Sequence, residues 1–303
     1  MEPISRPASA GADRAPDLAP YRGQRFVVKL GGEIMLHAAG LDALAADLAA
    51  LTQAGLQVVV VHGGGPQADA LAARLGHTVR KAGGRRITDD DALEVAKMVY
   101  GGSLNLEILG ALKRHGARAA GLSGVDGNLI TVTRRPPTRL RDPATGGEAW
   151  VDFGHVGDVA AVDMALLELL LAAGYVPVVA SLAADAAGRL YNVNADTIAA
   201  TIATHLGAAR LFLLTNVPGI LRDPADRASR LPVLTPAQIA ILTADGTIAD
   251  GMLPKVQNAV AVLQAGVPQV QILDGTTAES LLLRSFHHPG LGTLLLPDDE
   301  VLS

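Results

Sequence analysis

Short unbroken apolar runs alternate along this chain with longer stretches whose apolar residues recur at helical spacing. The clearest run, QVVVVHGGGPQ from Gln57 to Gln67, passes from four valines into three glycines. Valine fits a pleated strand, and a run without polar alternation suits a strand covered on both faces, as in a parallel sheet. Phe26-Val-Val-Lys-Leu-Gly-Gly repeats the design nearer the N-terminus. The pattern predicts further strands over Arg118–Leu122, Val176–Ser181, Arg210–Leu214, Val270–Leu273 and Thr293–Leu296. It predicts helices over Leu41–Gln53, Pro66–Leu75, Ala92–Arg114 (interrupted near Gly101 and Gly102), Ala195–His205 and Pro236–Thr243, and one more opening at Asp250-Gly-Met-Leu-Pro-Lys-Val. Met164–Ala184 holds a single charge, Glu168, yet Gly174 and Pro177 cut it into a helix and a strand, so it reads as a buried αβ unit and not a membrane span. Such alternation predicts a three-layer αβα sandwich around a mainly parallel, open central sheet.

Three stretches depart from that rhythm. Thr78–Thr88 is polar and basic, a hairpin that sets Arg85 and Arg86 just ahead of the helix start Thr88-Asp-Asp-Asp, where carboxylates are often recognised. Asn128–Val159 is broken by prolines and glycines into short β pieces, a surface excursion whose Asp152–Asp158 piece, DFGHVGD, is placed to close over a ligand. His155 within it reads as structural rather than catalytic. Residues 1–24 read as a flexible tail without the apolar segment of a targeting signal.

The chemistry starts from the glycines. In a strand-glycine-helix junction, free N–H groups converge and suit an anion, although a plain tight turn also uses glycine. Lys29 shifts the balance, because an ammonium inside an apolar strand costs free energy unless an anion meets it. Lys255 repeats the anomaly at a helix start, where the helix dipole opposes it. Asn194 is placed to cap the helix that begins at Ala195, with Asp196 in its first turn, which leaves Asn192 without a structural task. Thr215-Asn-Val-Pro-Gly-Ile-Leu forms a loop at a strand's C-terminal end, where α/β ligands usually bind.

Composition narrows the partners. At 303 residues and 49% hydrophobic content the chain fills one large domain or two lobes, split near Ala187. A net charge of −5 and 3% aromatic content argue against nucleic acid. The absence of cysteine excludes thiol catalysis, and the eight histidines form no metal motif, so no protein-held metal is expected.

KLGG at 29–32, HGGGPQ at 62–67, GRRIT at 84–88, NVNAD at 192–196, LTNVPGIL at 214–221 and DGMLPKV at 250–256 resemble the amino acid kinases, most closely those acting on acetylglutamate. The resemblance runs from Phe26 to Leu296. It implies an N-terminal lobe, 25–187, that binds the acyl amino acid and dimerises, and a C-terminal lobe, 188–303, that binds ATP. The implied reaction is ATP- and Mg²⁺-dependent phosphorylation of the side-chain carboxylate of N-acetyl-L-glutamate, in arginine biosynthesis, by a cytoplasmic homodimer. Lys29 and Lys255 match the family's transition-state lysines and Asp196 the acid that orients them. Gly64, Gly65, Arg86 and Asn192 match acceptor-binding positions, with Arg86 on the α-carboxylate. Gly31, Gly32, Thr215, Asn216, Gly219 and Leu221 match positions bordering the nucleotide. Asn216 stands where many relatives carry Asp, and Ser103-Leu-Asn-Leu keeps only Asn105 of a pattern that more often carries lysines. Glu279, Arg284 and Pro289 replace groups expected to hold arginine in arginine-regulated relatives, so weak inhibition or none is expected. A kinase working on a carrier protein shares most motifs, and a non-catalytic sensor shares the fold; the intact NVNAD, HGGGPQ and both lysines favour the free-substrate enzyme.

Overall fold

A computed structural model of the chain describes residues 17–141, 147–249, 252–276, 282–288 and 291–300. The expectations on the tail before Asp17, on Asp250, and on Glu279 and Pro289 fall outside that set. Eight strands form one sheet in the order Val233–Leu234, Thr293–Leu295, Val270–Asp274, Arg210–Thr215, Arg25–Leu30, Gln57–His62, Val176–Ala180, Ala119–Ser123. The six from Val270–Asp274 to Ala119–Ser123 pair in parallel, while Thr293–Leu295 runs antiparallel to Val270–Asp274. Strands from before residue 187 occupy one end of the sheet and those from after it the other, meeting where Val28 pairs with Phe212.

The valine run is buried on both faces because successive side chains point to opposite sides of the pleat. Phe26, Val28, Leu30, Val58 and Val60 pack with helix Ala38–Gln53 and helix Asn105–Arg114. Val27, Val59 and Val61 join the core on the other face with helices Ala165–Ala172, Ala195–His205, Pro236–Ala244 and Leu253–Gln264. Helices therefore cover both faces, giving the expected three layers.

Three details refine the sequence-based expectations. The interruption near Gly101 and Gly102 is a π-helical stretch, Lys97–Leu104, that joins helix Asp90–Ala96 to Asn105–Arg114, so the path widens without breaking. Residues 17–24 are anchored: Leu18 is buried and Tyr21 packs edge-on against Phe286 at 4.9 Å, so apolar contact holds the end of the segment taken as a flexible tail. The excursion after Asn128 contributes Ile130–Arg134 and Gly157–Val162 to a four-stranded sheet with Leu182–Ala184 and Leu190–Asn192, while Thr138–Arg141 and Glu148–Val151 form a separate ribbon. Backbone bridges from Thr88 to Gly154 and from Val156 to Asn192 seat the 153–156 loop between the hairpin and the NVNAD segment.

Candidate active site

Lys29 lies one residue before the end of its strand and on the face covered by helix Ala195–His205. Its Nζ is 2.8 Å from Asp196 Oδ1, with only a tenth of either side chain exposed. Asp196 occupies the first turn of that helix, where Asn194 caps by accepting from the Asp196 and Thr197 amides at 2.7 and 3.4 Å. The third partner is Lys255, in the first turn of helix Leu253–Gln264, whose Nζ lies 3.5 Å from Asp196 Oδ2. Burial acts to raise the Asp196 pKa, but the charges and hydrogen bonds of Lys29 and Lys255 outweigh it and hold the carboxyl below its ordinary 3.8. Two ammoniums thus share one carboxylate, leaving an excess positive charge at a partly buried point.

Cavities open on both sides of this triad. Lys29 lines the first, of about 560 Å³, together with Gly32, Gly64, Gly65, Arg86 and Asn192. Lys255 lines the second, of about 910 Å³, with Asn216, Gly219, Leu221, Arg222 and Asp223. The sequence-predicted residues are therefore brought together, with two exceptions. The Gly31 amide donates to the Leu214 carbonyl at 3.0 Å, and Thr215 turns its hydroxyl to the Val217 amide at 3.0 Å, so both shape strand ends and line neither cavity.

In the first cavity the glycine loops allow close approach. A Cβ on Gly64 would sit 2.2 Å from Leu104 Cδ1, and one on Gly32 2.6 Å from Pro66 Cδ. The amides of Gly32, Gly64 and Gly65 meet no acceptor among the described residues, and Gly65 opens helix Gly65–Arg74. Arg86 Nη2 bonds to the Gly65 carbonyl at 2.9 Å and pairs with Asp69, which also holds Lys81 at 3.0 Å. Arg86 itself lines the cavity, while its Nη1 is buried beneath the surface without a hydrogen-bond partner. Asn192 Nδ2 donates to Thr88 Oγ1 at 3.2 Å. Phe153 and Val156 line the cavity, whereas His155 turns outward, its Nε2 2.6 Å from Asp90.

Asp69, Arg135 and Ser181 also line this cavity and escaped the motif search because each reaches it only through the tertiary fold. His62, the first residue of the HGGGPQ motif, is fully buried behind the loop, where burial lowers its pKa to about 4. Among the described residues no three His, Cys, Asp or Glu side chains converge to hold a metal ion, and no helix is long and apolar enough to cross a membrane.

Residues 24–274 match the model of the amino acid kinase family. The chain is 48% identical to acetylglutamate kinase of Sorangium cellulosum over 90% of its own length and 94% of that protein's. It is 44% identical to acetylglutamate kinase of Erythrobacter litoralis over 92% of both chains. Among solved structures, N-acetylglutamate synthase from Neisseria gonorrhoeae, complexed with coenzyme A and L-arginine, superposes with a TM-score of 0.75 at 27% identity; it covers 92% of this chain, which spans 62% of the synthase. Giardia carbamate kinase, at 18% identity and a TM-score of 0.65, shares the fold. With the family model spanning both cavities and the triad between them, the chain belongs to the amino acid kinase family.

Proposed function

We propose that the chain transfers the γ-phosphoryl group of ATP to the side-chain carboxylate of N-acetyl-L-glutamate, as the names of its relatives indicate, and so serves arginine biosynthesis. The observation that carries this is the shared Asp196 between two lysines, each facing a different cavity. Phosphoryl transfer needs little covalent help and much charge compensation, and two ammoniums converging from opposite sides provide it. We assign Lys29 and Lys255 to the moving phosphoryl group and Asp196 to holding them in place. Arg86, on the wall of the first cavity, takes the acceptor's α-carboxylate, Asn192 the acetylamino portion, and the amides of Gly64 and Gly65 the reacting carboxylate. Gly32 serves the phosphates, and Asn216, Gly219 and Leu221 border the nucleotide. The N-terminal lobe is thus the acceptor half and the C-terminal lobe the ATP half.

Because no carboxylate cage forms among the described residues, the proposed Mg²⁺ arrives on the triphosphate, held by phosphate oxygens and water. When bound, Mg²⁺ neutralises charge on the phosphates, while the lysines and glycine amides position them. We further propose a cytoplasmic homodimer: Ala119–Ser123 is the outer strand of the sheet, and the helix packed against it exposes Leu106.

The test is ADP release with acetylglutamate, glutamate, aspartate and acetylaminoadipate offered separately, with hydroxylamine to trap the acyl phosphate. A hydroxamate formed at least about tenfold faster from acetylglutamate supports the assignment. Preference for another acceptor overturns the substrate, and ADP release without hydroxamate overturns the carboxylate as acceptor.

A further inference from the structure

Behind the glycine loop of the first cavity runs a buried polar chain whose side chains, His62 and Asn105, do not line that cavity. His62 ends the valine strand; its Nδ1 is 2.8 Å from the Gly63 carbonyl oxygen and its Nε2 3.1 Å from Asn105 Nδ2. Asn105 Nδ2 also lies 3.0 Å from the Val178 carbonyl oxygen. A single proton assignment satisfies all three contacts. Carbonyls accept only, so one Asn105 N–H goes to Val178 and the Gly63 contact requires the ring proton on Nδ1. Nε2 is then bare and accepts the second Asn105 N–H. Burial supports this by keeping the ring neutral, with a pKa near about 4.

The Gly63 carbonyl and the Gly64 N–H belong to one trans peptide and point in opposite directions. Drawing the carbonyl inward to His62 therefore turns the Gly64 N–H outward, to the side where Gly63, Gly64 and Gly65 line the cavity. No side chain at position 64 can fix the loop instead, since a Cβ there meets Leu104.

We propose that His62 is a positioning residue: its Nδ1–H tether on the Gly63 carbonyl aims the Gly64 amide into the first cavity, and Asn105 sets the tautomer that makes the tether. The identity of the group this amide meets, the reacting carboxylate, rests on the kinase assignment above. Without the tether the peptide can rotate, and a donor aimed at developing charge is lost.

His62→Asn, His62→Gln and His62→Leu separate positioning from core filling. The amide nitrogen of asparagine falls where Nδ1 was and that of glutamine where Nε2 was, while leucine supplies neither. Retention of kcat within about tenfold in His62→Asn is expected, against losses of about 10²-fold in His62→Gln and His62→Leu, with the KM for ATP moving less than about threefold. Core filling predicts the reverse ranking, because asparagine leaves the largest void. That ranking, or equal activity in all three, overturns the proposal. Imidazole ¹⁵N spectra of the unmodified protein give a readout that needs neither a folded variant nor the right substrate. A protonated Nδ1 and bare Nε2 at neutral pH are expected, and a protonated Nε2 with bare Nδ1 refutes the tether even if the kinase assignment stands.

Discussion

Replacing Asp196 with asparagine keeps the shape of the triad and removes its only negative charge. At an effective dielectric of about 20, unit charges separated by the two Asp196–lysine distances of 2.8 and 3.5 Å attract by about 6 and about 5 kcal/mol. Desolvation offsets most of that, and taking one partner from a buried ion cluster costs about 3–5 kcal/mol net. Lys255 retains a quarter of its side-chain exposure, which places the expected loss near about 3 kcal/mol, or a fall in Tm of roughly 6 °C for a chain of this size. The folded pKa of Asp196 is depressed, so its contribution is present above 3.8 and vanishes as pH falls through the folded value. Turnover and ATP binding should respond differently. Both ammoniums lose their anchor, so kcat drops by about 10²-fold. Their uncompensated charge still attracts triphosphate, so the KM for ATP stays level or falls. Thermal unfolding and initial rates of ADP release measure both. Asp196→Asn with kcat within about threefold of the unmodified enzyme, or with ATP binding weakened more than turnover, would refute this reasoning.

Arg86→Lys exchanges a planar donor fork for a point charge and loosens the contact with Asp69, so the KM for acetylglutamate should rise by roughly 10-fold or more while that for ATP moves less than about twofold; equal shifts would move Arg86 to a structural role. His62 stays neutral in the fold down to about pH 4 but protonates at 6.5 when unfolded, so the unfolded state binds more protons between those values and stability falls on acidification by up to roughly 3 kcal/mol. Urea unfolding at stepped pH should show that slope in the native chain and its loss in His62→Gln.

The layer order and most strands were legible because β-branched runs and helical spacing carry them locally. Lys29 and Lys255 were legible for the opposite reason: local physics penalises both, and the shared carboxylate of Asp196 shows what compensates. Gly31 misled, since its motif position resembles a phosphate contact while its amide completes the sheet with Leu214. His62 stands in the HGGGPQ motif and Asn105 in Ser103-Leu-Asn-Leu, but their hydrogen bond was not legible, since Asn105 lies on a helix entered through a π-helical stretch that sequence spacing shows only as a break. Asp69 reads as an ordinary helix surface residue until the hairpin folds Arg86 onto it.

The central claim, that Lys29 and Lys255 act on the phosphoryl group as it passes between the cavities, is tested most directly by single-turnover rates of Lys255→Met with ATP and acetylglutamate already bound. A fall of roughly 10²-fold or more, with ATP affinity changed by less than about fivefold, is predicted, because interactions made mainly in the transition state appear in the chemical step. Near-normal single-turnover rates with weakened ATP binding would contradict the account and make the triad a binding device.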